Sequence, residues 1–379
     1  MNRELLQTLV ETASVYPEEQ AISGVIKGIL TGYGLDVKEV PTDSDRNNLV
    51  GTFGQSDMYI GFYGHMDTVP AHPGWQQNPF ELRIKGDKAT GLGVQDMKGG
   101  LVAILRVAEF AAKNDLPVKV FFGVDEENIS KGAHDLVDSG EMNDVAFLVV
   151  GESGQVDNYE QPYAVNYGRK GHVQFDIDVH GKAAHAAESH KGVNAIEEAS
   201  RLIVGMQGVR LGDHERLGTS NIVLRAIHAD TTSLSVPDSC RLRVSLLSTP
   251  GVKSSDFVAK MHEVSEETGV SADVVLVPRE TPYNEAFEID RENPFLKLIE
   301  AKLILLHGVE VIYSGSVADE NVFANRLGIP ILSLGPIGGG EHTEQEWLSL
   351  QSLDETIRAY QEICALYSGF NNQASQREE

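Results

Sequence analysis

Acidic and imidazole side chains gather in this chain into five short blocks, each following a short apolar run. They are Gly64-His65-Met66-Asp67-Thr68-Val69-Pro70, Asp96-Met97-Lys98-Gly99-Gly100, Asp125-Glu126-Glu127, Gly151-Glu152 and Glu341-His342-Thr343-Glu344. Imidazole nitrogen with carboxylate oxygen, and no thiolate, suits zinc or a similar divalent ion in an open, water-accessible site rather than a closed structural one. The chemistry such a set would perform is hydrolysis assisted by two metal ions.

Each block has a chemical reading and a plainer one. His65 and Asp67 stand two apart just beyond a strand, so an extended backbone puts both side chains on one face and lets Asp67 accept the second imidazole N–H. The plainer reading is a turn before Pro70. Asp96 precedes paired glycines and an apolar helix; its two oxygens can span two cations, or its carboxylate can cap the helix. Glu126 and Glu127 follow a buried strand and point in different directions, so one can bind metal while the other faces a water as proton acceptor, unless both sit in a solvated loop. Glu152 also follows an apolar strand and otherwise reads as a surface acid. His342 comes after the glycine run 338–340, where a loop histidine is usually just exposed; it gains weight from its companions. Two other motifs fail. Gly91-Leu92-Gly93 has Asp96 where a dinucleotide loop needs its third glycine, and Gly151-Glu152-Ser153-Gly154-Gln155 lacks the last glycine of a serine nucleophile elbow.

The elements that must position these blocks alternate helical and strand patterns. Strands are predicted at 58–63, 118–124 and 145–150 and a helix at 101–113, the rhythm of a layered α/β domain. Continuous apolar strands imply a parallel sheet centre, with ligands at the strands' carboxyl ends. After Tyr167 the pattern changes to strand 172–180, helix 193–207, strands 221–228 and 239–247, helix 254–267 and strand 272–278, a βαββαβ order that predicts a small antiparallel sheet with two helices on one face. The α/β rhythm returns near Asn293, with a helix over 295–306 and strands at 309–313 and 330–334. His342 lies in this returning part and has to rejoin the earlier blocks. The expected division is therefore a discontinuous catalytic domain, 1–166 with 283–379, and an inserted domain, 167–282.

Composition sets the bounds. The 379 residues carry 31 Lys and Arg against 56 Asp and Glu, a formal net charge of -25, which excludes the basic face that nucleic-acid binding needs. Two cysteines, Cys240 and Cys364, make no disulfide framework, and a reducing, cytoplasmic setting is expected. The first thirty residues have apolar positions at helical spacing with acids between them, unlike a signal peptide, and no apolar run approaches the roughly 18 residues of a membrane span. A soluble protein is expected, with a frayed polar tail over 371–379.

Taken together and in order, the five blocks resemble the M20 family of metal-dependent peptidases and deacylases, the group of acetylornithine deacetylase, succinyl-diaminopimelate desuccinylase and glutamate carboxypeptidase. The resemblance implies two divalent ions, zinc with cobalt as the alternative, one held by His65, Asp96 and Glu152, the other by Asp96, Glu127 and His342. It implies Glu126 as general base, acting on a metal-bridging water that is the nucleophile. The inserted domain resembles the family's lid and dimerisation module: Gly168-Arg169-Lys170-Gly171 opens it, and the last histidine of His180-Gly181-Lys182-Ala183-Ala184-His185 would reach a partner's active site to steady the oxyanion. A homodimer follows from that role; His172, His180 and His190 are left as structural or surface residues. The expected activity is release of an amine from an N-acyl amino acid, with a dipeptidase or carboxypeptidase acting on short peptides as the alternative and a silent metal-binding homologue behind both. The chain departs from the family at Leu234 and at Ser245-Leu246-Leu247, where many members have an asparagine and a substrate-gripping arginine, leaving Arg225, Arg241 or Arg243 as substitutes. Ser153 stands where deacylases commonly have proline.

Overall fold

A computed structural model describes residues 2–43, 45–153, 162–231, 233–305, 308–309 and 311–375. The chain divides into two compact units, one comprising Met1–Gly168, Glu288–Ser314 and Ala318–Glu379, the other Arg169–Phe287 and Gly315–Val317.

Runs of apolar residues make the centre of the first unit. Tyr59–His65 and Val118–Gly123 are buried at every position, which a strand achieves only when both faces of its sheet are covered. The nine-stranded sheet runs Asp36–Asp43, Arg46–Phe53, Val118–Gly123, Tyr59–His65, Val145–Val150, Ile331–Gly335, Ala164–Arg169, Phe287–Glu288, with Val311–Ser314 also paired to Ala164–Arg169. Its four middle strands are mutually parallel and its flanks antiparallel. This is a mixed α/β fold with a mostly parallel central sheet, as the strand pattern predicts.

One face is covered by the apolar helix Gly99–Lys113, on which the C-terminal helix Leu350–Ser375 packs. Against the other, Ala133 and Leu136 of the helix Lys131–Asp138 and Val322 and Phe323 of the helix Glu320–Leu327 join Tyr63, Phe121, Leu148 and Val150 in one core. A small four-stranded sheet, Gly338–Gly339, Trp347–Ser349, Lys88–Thr90, Arg83–Lys85, joins the chain before Asp96 to the chain after His342. The helix expected over 295–306 is instead Pro294–Ile299 followed by a wider turn, Glu300–Ile304, with Leu306 outside the described residues.

The second unit holds a four-stranded antiparallel sheet ordered Asn221–His228, Ser239–Ser248, Gly171–His180, Ala272–Leu276. Strict alternation buries Val173, Phe175, Ile177 and Val179 with Leu242, Val244 and Leu246 under the helices Ala195–Met206 and Ser254–Thr268. The other face carries cross-strand ion pairs, Arg241 with Asp178 and Arg243 with Asp176. Among the described residues no helix is long and apolar enough to cross a membrane.

Candidate metal centre

Three of the five blocks emerge at the carboxyl ends of adjacent parallel strands, where α/β sheets keep their ligand sites. His65 ends Tyr59–His65, Asp125-Glu126-Glu127 follows Val118–Gly123, and Glu152 lies two residues past Val145–Val150. Asp96 sits in the irregular turn Val94–Lys98 with non-helical angles, φ -116 and ψ 91. Its carboxylate is not the cap of the following helix, because Lys98 occupies that position and no side chain caps there. The paired glycines after it have a steric reason: a Cβ on Gly100 would lie 2.2 Å from the carbonyl oxygen of Gly151, next to Glu152. His342 lies in the turn between Gly338–Gly339 and Trp347–Ser349 with φ +61, unusual for a residue with a side chain. Such an outlier costs on the order of 1–3 kcal/mol and persists where surroundings impose it, which directs attention to function.

The five side chains meet. His65 Nε2 is 3.1 Å from Asp96 Oδ1 and 3.2 Å from Glu152 Oε1, while His342 Nε2 is 3.2 Å from both Asp96 Oδ2 and Glu127 Oε2. One carboxylate thus turns one oxygen to each histidine. Two triads result, His65-Asp96-Glu152 and Asp96-Glu127-His342, whose donor atoms lie within 4.8 Å of one another in each.

The arrangement suits a cation on three counts. Nitrogen and oxygen donors without sulfur are those of zinc and its neighbours. His65 Nδ1 lies 3.1 Å from the carbonyl oxygen of Asp67, which can only accept, so Nδ1 carries the proton and Nε2 is directed at the triad. The buried Oε1 of Glu127 has no hydrogen-bond partner among the described residues. The clustered carboxylates also favour positive charge on both imidazoles. Burial disfavours a charge on His65, yet hydrogen bonds with Asp67, Asp96 and Glu152 outweigh it and hold the imidazole well above its usual pKa. Hydrogen bonds to Asp96 and Glu127 push His342 up to about 11. Burial, then the Asp96 charge, raises Glu152 to about 7, whereas half-buried Asp96, facing both imidazoles, is held low by them against desolvation.

Asp67 departs from the expected geometry. Its backbone oxygen, rather than its carboxylate, lies nearer His65 Nδ1; the carboxylate Oδ1 is 3.5 Å away, while Oδ2 accepts from Glu127 N at 2.9 Å. Asp67 therefore braces one residue of each triad. Glu126 is half-buried, pushed well up in pKa by burial and by the Glu127, Glu152 and Asp319 charges against the pull of His65, and makes no hydrogen bond or ion pair among the described residues. Behind it, Arg46 donates to Asp125 at 3.0 Å and to Glu19 at 2.6 Å, fixing the start of that loop.

His185 is not part of this gathering. It lies in the second unit, exposed, and its Nδ1 accepts from Ala187 N at 3.1 Å. His172 faces Ser245 at 3.0 Å and His180 faces Asp273 at 2.9 Å. Of the substitute arginines, Arg241 and Arg243 are each engaged twice by an aspartate, while Arg225 stands in the bulge between Leu224 and Ala226 with no hydrogen bond or ion pair among the described residues. Gly154 and Gln155 of the rejected nucleophile elbow, and the tail end 376–379, lie outside the described residues.

Four buried ionisable groups beside the centre escape a reading of motifs. Tyr63 donates to Asp319, whose carboxyl burial raises to about 7; Lys98, brought down to about 7 by burial, donates to Thr12 O at 3.0 Å; Glu346 accepts three backbone N–H groups. A lysine among apolar residues at a helix start was the available signal for Lys98. Asp319 and Glu346 look in sequence like ordinary caps and surface acids.

Known proteins resemble this chain in sequence and in fold. The profile described as "Peptidase family M20/M25/M40" matches residues 61–365. Over 199 residues the chain is 33% identical to the probable succinyl-diaminopimelate desuccinylase of Staphylococcus epidermidis, covering 51% of this chain and 47% of that one, so it spans about half the length of this relative. It is 25% identical over 375 residues to the acetylornithine deacetylase of Vibrio parahaemolyticus, covering 93% of this chain and 95% of the relative. The crystal structure of a tripeptidase from Staphylococcus aureus superposes with a TM-score of 0.80 at 24% identity, over 97% of this chain and 98% of the other, a likeness of fold.

Proposed function

The chain belongs to the M20/M25/M40 peptidase family, and from that membership we propose that it is a di-metal amidohydrolase that frees the amine of an N-acyl amino acid. The observation that carries this reading is Asp96, whose two oxygens are divided between two histidines, each with a further carboxylate beside it. His65, Asp96 and Glu152 would hold one ion and Asp96, Glu127 and His342 the other, zinc in the first place and cobalt as the substitute. Such a pair, when bound, polarises an amide carbonyl and brings the acidity of a water toward neutral pH.

The chain's own groups do the rest. Glu126, beside both triads and with no hydrogen bond or ion pair among the described residues, takes a proton from the attacking water as the water's oxygen bonds to the acyl carbon; bound cations would offset the neighbouring carboxylates that raise its pKa. The same carboxyl then returns that proton to the nitrogen as the C–N bond breaks, leaving a carboxylic acid and an amine, and the acid's remaining proton passes to the amine to give a carboxylate and an ammonium. Asp67 keeps His65 and Glu127 in register through its carbonyl and its carboxylate. His185 is assigned, by the family resemblance, to an oxyanion contact made across a homodimer.

The preference for a deacylase rests on the deacetylase and desuccinylase names of the sequence relatives. The test is a panel of N-acetyl and N-succinyl amino acids against di- and tripeptides, assayed with zinc or cobalt. Release of amine from the acyl amino acids is the expected result. Cleavage of peptides alone would replace the deacylase by a peptidase, and no hydrolysis by chain with both ions bound would leave a silent homologue. Gel filtration of active enzyme tests the dimer, since a strictly monomeric active chain rules out the role of His185 across subunits.

A further inference from the structure

Glu346 is an acid buried to 1% exposure, four residues after His342 and outside both triads. Its carboxylate faces a concave run of backbone donors: Oε2 accepts from Gly93 N at 2.8 Å, and Oε1 from Gln95 N at 2.9 Å and Asp96 N at 3.2 Å. A curved run of N–H groups of this kind is an anion nest, here filled by a side chain of the chain itself. A buried carboxylate is costly unless so satisfied.

The strands explain why it arrives there. Trp347 pairs with Thr90 and with Gly339, so the segment that departs toward Asp96 and the one that returns from His342 leave the same pair of strands side by side. Glu346, at the end of the returning segment, closes the gap between them. The packing around this junction leaves no slack: a Cβ on Gly338 would lie 2.2 Å from Trp347 O and 2.7 Å from Gln95 Cγ. A surface tie on the His342 turn is His72 Nδ1 with Glu344 Oε2 at 2.9 Å, which is 51% and 33% exposed and therefore weak.

We propose that Glu346 is a positioning residue that fixes Asp96 relative to His342 and so sets the affinity of the second ion site. This rests on the two-ion reading above. Partners that orient metal ligands from behind are worth about 10–100-fold in metal affinity.

The test is cobalt titration of metal-free protein, followed by absorbance and by metal analysis, on wild type, Glu346→Gln and Glu344→Gln. Glu346→Gln keeps the shape but turns an N–H toward donors. It is expected to weaken the second ion by about 10–100-fold, and the first ion less. Glu344→Gln, which breaks only the surface pair on the same turn, should stay within about threefold of wild type. A purely structural role would lower the melting temperature and leave the ratio of the two affinities unchanged. Folded Glu346→Gln that binds both ions as wild type does, or loses both equally, overturns the proposal. Should that variant not fold, Glu346→Asp, one methylene short of the nest, is titrated under the same criteria. Wild type that takes up no cobalt would instead overturn the two-ion reading itself.

Discussion

The two triads share Asp96 and differ in almost everything else. His65 is fully enclosed, extends a core strand and has Glu152 beside it, itself nearly buried; His342 is 52% exposed, on a turn with φ +61. One triad is built into the sheet, the other is assembled by a late hairpin. A cation in the first is defended by core packing, and in the second by local geometry. On the two-ion proposal, the enclosed triad would keep its ion more firmly than the exposed one.

The sharpest challenge to this contrast is chelation. Treatment with increasing chelator should empty the His342 triad first, abolish hydrolysis completely, and be reversed by zinc or cobalt; metal analysis showing both ions leaving in one step would erase the distinction. Next in size is Glu126→Gln, expected to lower kcat by about 100- to 10,000-fold with both ions retained. Activity close to wild type would move the proton-accepting role elsewhere.

Stability gives the third comparison. In metal-free protein His65→Ala leaves buried Glu152 without its imidazole and half-buried Asp96 with only that of His342, and should cost on the order of 3–5 kcal/mol in denaturant unfolding. His342→Ala, losing a half-exposed partner, should cost under about 1 kcal/mol. Equal losses would mean that enclosure does not distinguish the two. Between those two lies Gly100→Ala, whose added methyl meets Gly151 O; about 1–3 kcal/mol of destabilisation is expected, with metal affinity lowered at the Glu152 triad and not at the His342 triad.

The same contrast governs what could be read in advance. His65, Glu126, Glu127 and Glu152 were legible because each follows an uninterrupted apolar strand, and buried parallel strands announce themselves. The edge strand Asp36–Asp43 was not, since Val40 is its one buried residue, Val37 is only half-buried and most of the others are polar. Asp96 was legible as a carboxylate but ambiguous as a cap, because only the fold places His342 opposite its second oxygen. Glu346 and Asp319 were silent for a general reason. An acid in a short polar turn is normally hydrated, and only tertiary structure shows that these two are enclosed. Asp67 was half legible: the pairing with His65 follows from spacing, whereas its carboxylate on Glu127 N joins segments sixty residues apart.

The break in the first unit has a consequence for synthesis. Four of the five donors precede residue 153, so a growing chain carries the enclosed triad long before the ribosome reaches residue 342. The hairpin that brings His342 and Glu346 comes only after the entire second unit has been made. On the two-ion proposal, the donors of the His65 triad are present together well before His342 is made, and the second triad has to wait for it.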